Sequence, residues 1–461
     1  MEKSFIQHPS SYRDPSGFIF LKEGVLYRQV NKVFAGDFDF FISSGCYEKL
    51  VLQKLLLPHE AIQENLTGSP EWHITLKPEP AAFLSWPYEW SFDMLKDAAL
   101  LTLRLVRESV ASGLILKDAA PYNVQWHKGR LIFIDTLSFE KYNEAAPWIA
   151  YRQFCEQFLG PLLLMHYRKM PLHQLLLAWP EGIPLNIIRS LLPGSSKFSL
   201  HTYLHIHLNA RISSKGRASK KPAAKFSKQK LLNLITSLEA LVNKLKLPAQ
   251  KSAWSDYYDE ASGRSDYLKA KKKIIGEWID SVTGVTTAAD LGANDGEFSR
   301  LAADRNIYTI AADFDPWCIN NLYRSIKQSG QKNIQPLIAD LSNPSPAIGF
   351  NNNERISFIS RLKVDLCLAL ALIHHLCIGK NLSLEMTADF FSRIGRKALI
   401  IEFVPKSDEK VQLMLSVKKD IYTAYTEDNF KKTFSSYFQI ARREVIGYSG
   451  RVLYLMTPHE K

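Results

Sequence analysis

Cysteine is scarce in this chain: five in 461 residues, and none in a CxxC pair. A disulfide scaffold and a zinc ribbon are therefore excluded, and a reducing compartment is the expectation. Long apolar runs are also missing. None approaches the roughly 20 residues of a membrane helix, and the opening MEKSFIQHPSSYR has no apolar signal core. A cytoplasmic protein without a membrane span is expected. Acids are absent from one place in particular. Residues 211–230, RISSKGRASKKPAAKFSKQK, hold eight Lys/Arg and no Asp or Glu, whereas residues 1–210 balance 20 against 20. Two thirds of the net charge of +12 thus lies in 20 residues with little to bury, which reads as a solvated linker. Such a run can dock on phosphate or anionic lipid. With Phe226 its sole aromatic, it lacks the stacking surfaces of a nucleic-acid groove.

The linker divides the chain, which is too long for one ordinary domain. The expected parts are a domain over 1–210, the linker over 211–230, and a domain over 231–461. The last opens with LLNLITSLEALVNKLKL (231–247), whose apolar spacing predicts an amphipathic helix ending before Pro248. From about 285 onward, short apolar or β-branched runs alternate with helical patterns. TTAADLG, YTIAADFD, NIQPLIADLS, VDLCLALAL and KALIIEFV predict five strands of a parallel, doubly wound α/β sheet. FQIARREVIG and RVLYLMT predict a closing antiparallel hairpin.

What the turns of this sheet carry is chemistry. Ligands of such sheets sit outside the carboxyl ends of the strands. DLGANDG (290–296) lies at the first of these ends. It lacks the GxGxxG spacing of a pyrophosphate turn, and its acids would repel a pyrophosphate. They suit a cationic ligand instead. Asp313, at the second strand end, is placed to take both hydroxyls of a ribose. Asp340 and Leu341, at the third, are placed to accept from an adenine amino group and to pack its ring.

These three stations resemble the class I S-adenosylmethionine-dependent methyltransferases. The resemblance implies a Rossmann-like fold, S-adenosyl-L-methionine as cofactor, and a cofactor site of Asp290, Gly292, Asn294, Gly296, Asp313, Asp340 and Leu341. Asn294 stands where glycine is commoner, a replacement that left-handed backbone angles tolerate. The fourth strand ends in ALIHHL (371–376), and the segment after that strand faces the methyl acceptor in that family. His374 and His375 are candidate bases there, and Glu402 in IIEFVPKSD is a second candidate for acceptor contact. Cys377 lies close by, but adjacent strand residues face opposite sides, so no metal is expected. Tyr257, Tyr258 and Tyr267 form either a lid over the cofactor or part of a packed cover helix.

The first half holds LILKDAAPYNVQWHKGRLIFIDTLSFE (114–140). Its spacing resembles the catalytic and metal-binding segments of protein-kinase-like and aminoglycoside-phosphotransferase-like folds. The resemblance puts Asp118 on the catalytic base, Asn123 on a magnesium ligand and Asp135 on the metal-binding acid. Leu116-Lys117 replace the usual His-Arg, and Thr136-Leu137 follow Asp135. Residues 17–60 contain no GxGxxG, and neither Lys49 nor Lys54 sits in the expected strand context. The expectation is an α+β domain, kinase-like in fold and degenerate in its phosphate site. With WIAYRQFCEQFLGPLLL (148–164), these motifs make the whole chain similar to the NoeA-like family of bacterial two-part proteins.

The reading is a methyltransferase with a small-molecule acceptor that its first half selects. Two alternatives stand beside it: a ligand-binding adaptor without turnover, and a phosphotransferase with an accessory methyltransferase-like domain.

Overall fold

The computed structural model describes residues 5–214, 226–248, 265–447 and 449–459. Two compact units result: Met1–Pro248 with Ile348–Arg355, and Ala249–Ala347 with Ile356–Lys461. Most of the basic linker, together with Tyr257 and Tyr258, lies outside the described residues.

The first unit is α+β, as expected. Strands β1 (Ile6–Gln7), β2 (Gly17–Lys22), β3 (Val25–Asn31), β4 (His59–Ile62) and β5 (Trp72–Pro78) form an antiparallel sheet in the order β1-β2-β3-β5-β4. The helix Phe92–Ala111 follows, burying Leu95, Ala99, Leu103, Val106 and Val110 at the three- and four-residue spacing of one face. Strand β6 (Leu114–Leu116) pairs with β9 (Phe139–Lys141), and β7 (Val124–His127) with β8 (Arg130–Phe133). Residues 117–123 and 134–138 are the connections that these pairings bring together.

The predicted helix spans Lys228–Lys244, capped by the Ser227 hydroxyl accepting from the Lys230 amide. It was expected to open the second domain, but it belongs to the first unit. Arg107 on the helix Phe92–Ala111 donates to Glu239 at 2.5 Å and to Thr236 at 3.1 Å, while the Lys96 ammonium caps the carbonyls of Asn243 and Leu245. Its apolar face, Leu231, Ile235, Leu238 and Val242, is buried, and that face is satisfied by the first unit's helix. The described boundary thus falls at Pro248, past the linker.

The second unit is the doubly wound sheet. Strands β10 (Thr287–Leu291), β11 (Tyr308–Asp313), β12 (Ile334–Ile338), β13 (Val364–Ala369) and β14 (Gly395–Phe403) run parallel, and β15 (Phe438–Val445) and β16 (Val452–Pro458) close it antiparallel. Their order is β12-β11-β10-β13-β14-β16-β15. Strands β13 and β14 are nearly continuous apolar runs because helices cover both faces. On one face, Ile274, Ile275, Trp278 and Ile279 of the helix Ser265–Ser281 pack on Leu366, Leu368, Ala398, Ile400, Leu453 and Leu455. Pro336, which has no amide proton to donate, sits in the edge strand β12. At the opposite edge, β15 exposes Arg442, Arg443 and Glu444, and its register slips between Ile440 and Arg442.

Candidate functional site

A cavity of about 520 Å³ opens at the carboxyl ends of β10 to β13. Its floor is the turn after β10, which needs three left-handed residues in close succession: Gly292 (φ 81°), Asn294 (φ 49°) and Gly296 (φ 85°). Asn294 fills the one position of the three where a side chain is present, the tolerance its sequence suggested. Gly296 precedes the helix Glu297–Ala303, and a Cβ there would stand 2.6 Å from Leu322 Cδ1. The turn is pinned to the next strand. Gly292 N donates to Ala312 O at 2.8 Å, and Asn294 N donates to Asp313 Oδ2 at 2.9 Å.

Asp290, Asp313 and Asp340 all border the cavity. Asp290 is 2% exposed and accepts the Ser299 hydroxyl at 2.6 Å. Burial pushes its carboxyl up to about 6, with the charge of Asp313 adding to the rise. Asp313 accepts the amides of Asn294 and Asp315, and burial holds it near the same value, about 6. Neither has a salt-bridge partner among the described residues. Asp315 is committed elsewhere, capping the helix Pro316–Ser329 through the amides of Trp317 and Cys318. Asp340 accepts from the Ser342 amide (2.9 Å) and hydroxyl (2.6 Å), and Lys380 stands 3.6 Å away. Burial alone would raise its carboxyl. Ser342 and Lys380 more than offset that, leaving it below the usual range.

Beside these acids lies a buried charge network. Glu402, 0% exposed, accepts from Lys271 at 2.5 Å, from the Tyr267 hydroxyl at 2.9 Å and from Arg451 at 3.4 Å. Arg451 also forks onto Asp408 at 2.8 and 3.1 Å. Burial would raise Glu402, but Lys271 and Arg451 hold it ionised, below its ordinary value. Tyr267, Lys271 and Arg451 border the cavity; Glu402 stands behind them.

The two histidines are not strand residues. Strand β13 ends at Ala369, Ala371 turns through a left-handed φ of 51°, and both rings then lie in a helical turn with centroids 4.0 Å apart. The strand-face argument about Cys377 therefore does not apply here, because rings on a helical turn are not sent to opposite sides. His375 borders the cavity, and burial together with the Arg451 charge pulls it down to about 4, so it is a neutral base at pH 7. His374 is buried with its Nδ1 unpartnered, and burial lowers it still further. Among the described residues no three His, Cys, Asp or Glu side chains gather closely enough to hold a metal.

In the first unit, Asp118, Asn123 and Asp135 do come together, within a mesh of the unit's own donors. Asp118 accepts from Gln153 Nε2 (2.7 Å), the Ala120 amide (2.9 Å) and Asn123 Nδ2 (3.0 Å). Burial, with the nearby charge of Asp135, raises Asp118. Asp135 pairs with Arg28 of β3 and accepts from Ser138. Despite burial, Arg28 and Ser138 keep it below the ordinary range. Lys117 reaches Ser16 at 2.9 Å and Asp14 at 3.2 Å, and Lys49 is tied to Glu108 at 2.7 Å.

The chain is 32% identical, over 464 residues, to nodulation protein NoeA of Rhizobium meliloti (strain 1021), covering 98% of this chain and 96% of that protein. The chain belongs to the NoeA family. No model in the scan of protein families matches it. Among solved structures, magnesium protoporphyrin IX methyltransferase of Synechocystis PCC 6803, with bound SAH, is 13% identical over 46% of this chain and 90% of its own, with a TM-score of 0.30. A TehB-like SAM-dependent methyltransferase of Corynebacterium glutamicum is 11% identical over 45% and 96%, with a TM-score of 0.29.

Of the residues singled out in the sequence of this NoeA-family chain, Asp290, Gly292, Asn294, Asp313, Asp340, Leu341 and His375 border one cavity. Gly296, His374 and Glu402 stand behind its wall. Of the three tyrosines expected at a lid or cover helix, Tyr267 is described; it lies on the helix Ser265–Ser281 and borders the cavity. Lys271 and Arg451 escaped sequence reasoning. Lys271 hides in the run KAKKK, where only its position one helical turn after Tyr267 sets it apart. Arg451 follows a hairpin turn, a place no spacing rule connects to the cavity. Arg28 of the NoeA-family first unit carries no sequence signal, because the kinase-like pattern calls for a lysine there.

Proposed function

We propose that this NoeA-family chain is an S-adenosyl-L-methionine-dependent methyltransferase acting on a small-molecule acceptor. One observation carries the reading: three carboxylates from successive strand ends converge on a single cavity, two of them buried without a salt bridge among the described residues. A phosphate-bearing dinucleotide would meet repulsion there. A ligand with a cationic centre, a diol and an exocyclic amine meets acceptors at each station, so these residues fit the methyl donor. When bound, that donor supplies an electrophilic methyl group on sulfur.

The chain's own residues supply the rest. The backbone of Gly292 to Gly296 shapes the floor, Asp313 accepts the ribose hydroxyls, and Asp340 with Leu341 holds the adenine. Leu370, Leu372, Leu376 and Met414 of the lining are apolar and exclude water, so positioning contributes more to rate than proton transfer. His375, neutral at pH 7, offers a ring nitrogen that accepts a hydrogen bond from an acceptor hydroxyl and orients it; pulled down to about 4, it is a weak base, so proton transfer adds little. Glu402 acts through Lys271 and Arg451, which it holds in place. A cytoplasmic setting goes with five free, buried thiols.

For the first unit, a kinase-like fold without efficient phosphoryl transfer is supported by the strand order around β3 and β5 and by the Asp118, Asn123, Asp135 set. Arg28 already neutralises Asp135, which leaves that acid poorly placed to take a metal. We read this unit as the part that holds the acceptor.

Calorimetry on the full chain tests both halves, with S-adenosylmethionine in one titration and ATP–Mg²⁺ in another. The donor binds, and Asp313→Ala, which removes two charge-assisted hydrogen bonds of roughly 1.5–3 kcal/mol each, weakens it by about tenfold or more. Unchanged affinity in a folded variant overturns the assignment. Mass spectrometry of metabolites after incubation with labelled donor identifies the acceptor.

A further inference from the structure

The helical stretch 200–214 of the first unit is apolar on two opposite faces. It is built of a turn Leu200–Thr202, a π-helical segment Tyr203–Leu208 and a turn Asn209–Ser214. The wider i→i+5 turns of the middle segment rotate less per residue than an α-helix, so residues four apart stay aligned along it. Thr202, Ile206 and Ala210 form the inner row and are buried. The outer row is Leu200, Leu204, Leu208 and Ile212, where a helix on the surface of a domain ordinarily carries polar residues. Leu200 is 67% exposed, Leu204 42% and Ile212 66%, and Phe198, just before the first turn, is 92% exposed.

Among the described residues, the charged side chains at the two ends of this row are basic. Lys197 and Arg211 are exposed at its two ends. From Arg211 the sequence runs through 20 residues with eight Lys/Arg and no acid. A helix face of leucine and isoleucine with cations at its ends and a basic run beyond it is the pattern of a helix that lies in the plane of a membrane. Its apolar side enters the boundary between headgroups and acyl chains, while its cations meet anionic lipid. Nucleic acid would satisfy the cations and leave the leucines wet, and the stretch offers no aromatic ladder for bases.

We propose that the outer row of helix 200–214, with Lys197 and Arg211 at its ends, docks the protein on an anionic lipid surface. The docking is peripheral and reversible, and it gives the enzyme access to acceptors held at a membrane.

The test is sedimentation of the full chain with vesicles of phosphatidylcholine alone and of phosphatidylcholine mixed with phosphatidylserine. The protein pellets with the anionic vesicles, stays in solution with the neutral ones, and is released by high salt. The double variant Leu204→Asp/Ile212→Asp loses about tenfold or more in partition while its melting curve stays that of the parent. Leu204→Gln/Ile212→Gln serves the same purpose should the aspartates perturb folding. Equal binding to both vesicle types, binding to neither, or full binding by a folded variant overturns the proposal. So does light scattering that finds a dimer in the parent and a monomer in the variant, which assigns the row to a second copy of this chain. Retention on duplex DNA that the variant loses in parallel also overturns it.

Discussion

The two units each gather aspartates at the ends of strands, and they differ in whether a cation pairs with one of them. In the second unit, Asp290 and Asp313 are buried without a salt bridge among the described residues, and both carboxyls rise to about 6. In the first, Asp135 is matched by Arg28 and Ser138 and falls, while Asp118 rises through burial and the charge of Asp135 although three donors of its own unit enclose it. A carboxylate left unmatched in a low-dielectric site costs folding free energy, and a ligand that supplies the missing partner recovers it. A matched carboxylate has nothing left to recover. The difference separates a site built to be filled from one the protein has filled itself, although the residue types are the same.

The sharpest way to probe this comparison is Glu402, a matched carboxylate that sits beside the unmatched ones. Glu402→Ala strands Lys271 in the interior, leaves Arg451 to its pairing with Asp408, and lowers stability by about 3–5 kcal/mol, read from the denaturant midpoint of the full chain. A loss below about 1 kcal/mol would place Glu402 outside the group of matched acids.

Acidity tests the unmatched pair more gently. Their folded values lie above the ordinary carboxylate value of about 3.9. They therefore oppose folding increasingly as pH rises through the window from about 4 to 6. Donor binding needs the ionised form, so it moves the other way. Calorimetry at pH 7.5 and pH 5 should show affinity falling by about tenfold or more on acidification. Constant affinity over that range would mean that these carboxyls do not touch the ligand. Glu402 has the opposite sign: its folded value is depressed, so the stability it contributes holds above the usual glutamate range and is lost only as pH falls through that lower value.

The smallest effect is expected in the first unit. Asp118→Asn and Asp135→Ala should leave donor affinity unchanged and ATP turnover at background. Robust ATP turnover in the parent, abolished by Asp135→Ala, would break the comparison by revealing a working phosphotransferase.

The second unit was the more legible in sequence. Its strands are short apolar runs bounded by acids and glycines, and β10, β11 and β14 fall where their residues put them. The local turn DLGANDG carries its own geometry, down to the left-handed Asn294. What stayed hidden depends on contacts between distant segments. Lys271 and Arg451 meet Glu402 across 131 and 49 residues, and periodicity does not record such a meeting. The histidines were read as strand residues because ALAL continues the apolar run. The chain leaves the strand at Ala369, and Ala371 turns it through an angle that alanine seldom adopts. The helix 228–244 is legible as a helix, but its apolar stripe states that it is covered and not by what, and its cover is the first unit.

The rims of the seven-stranded sheet bear on how the protein behaves at high concentration. A terminal strand with free amides and carbonyls is a template on which another sheet can grow, the first step toward fibrils. Here one terminal strand, β12, contains Pro336, which interrupts the row of donors. The other, β15, has an irregular register and exposes Arg442, Arg443 and Glu444. Neither rim offers a straight, uncharged edge to a second molecule. Clumping of unfolded or crowded chains should therefore begin elsewhere than at this sheet, and substitutions that made β12 and β15 regular and apolar would be the ones to turn a soluble preparation into aggregate.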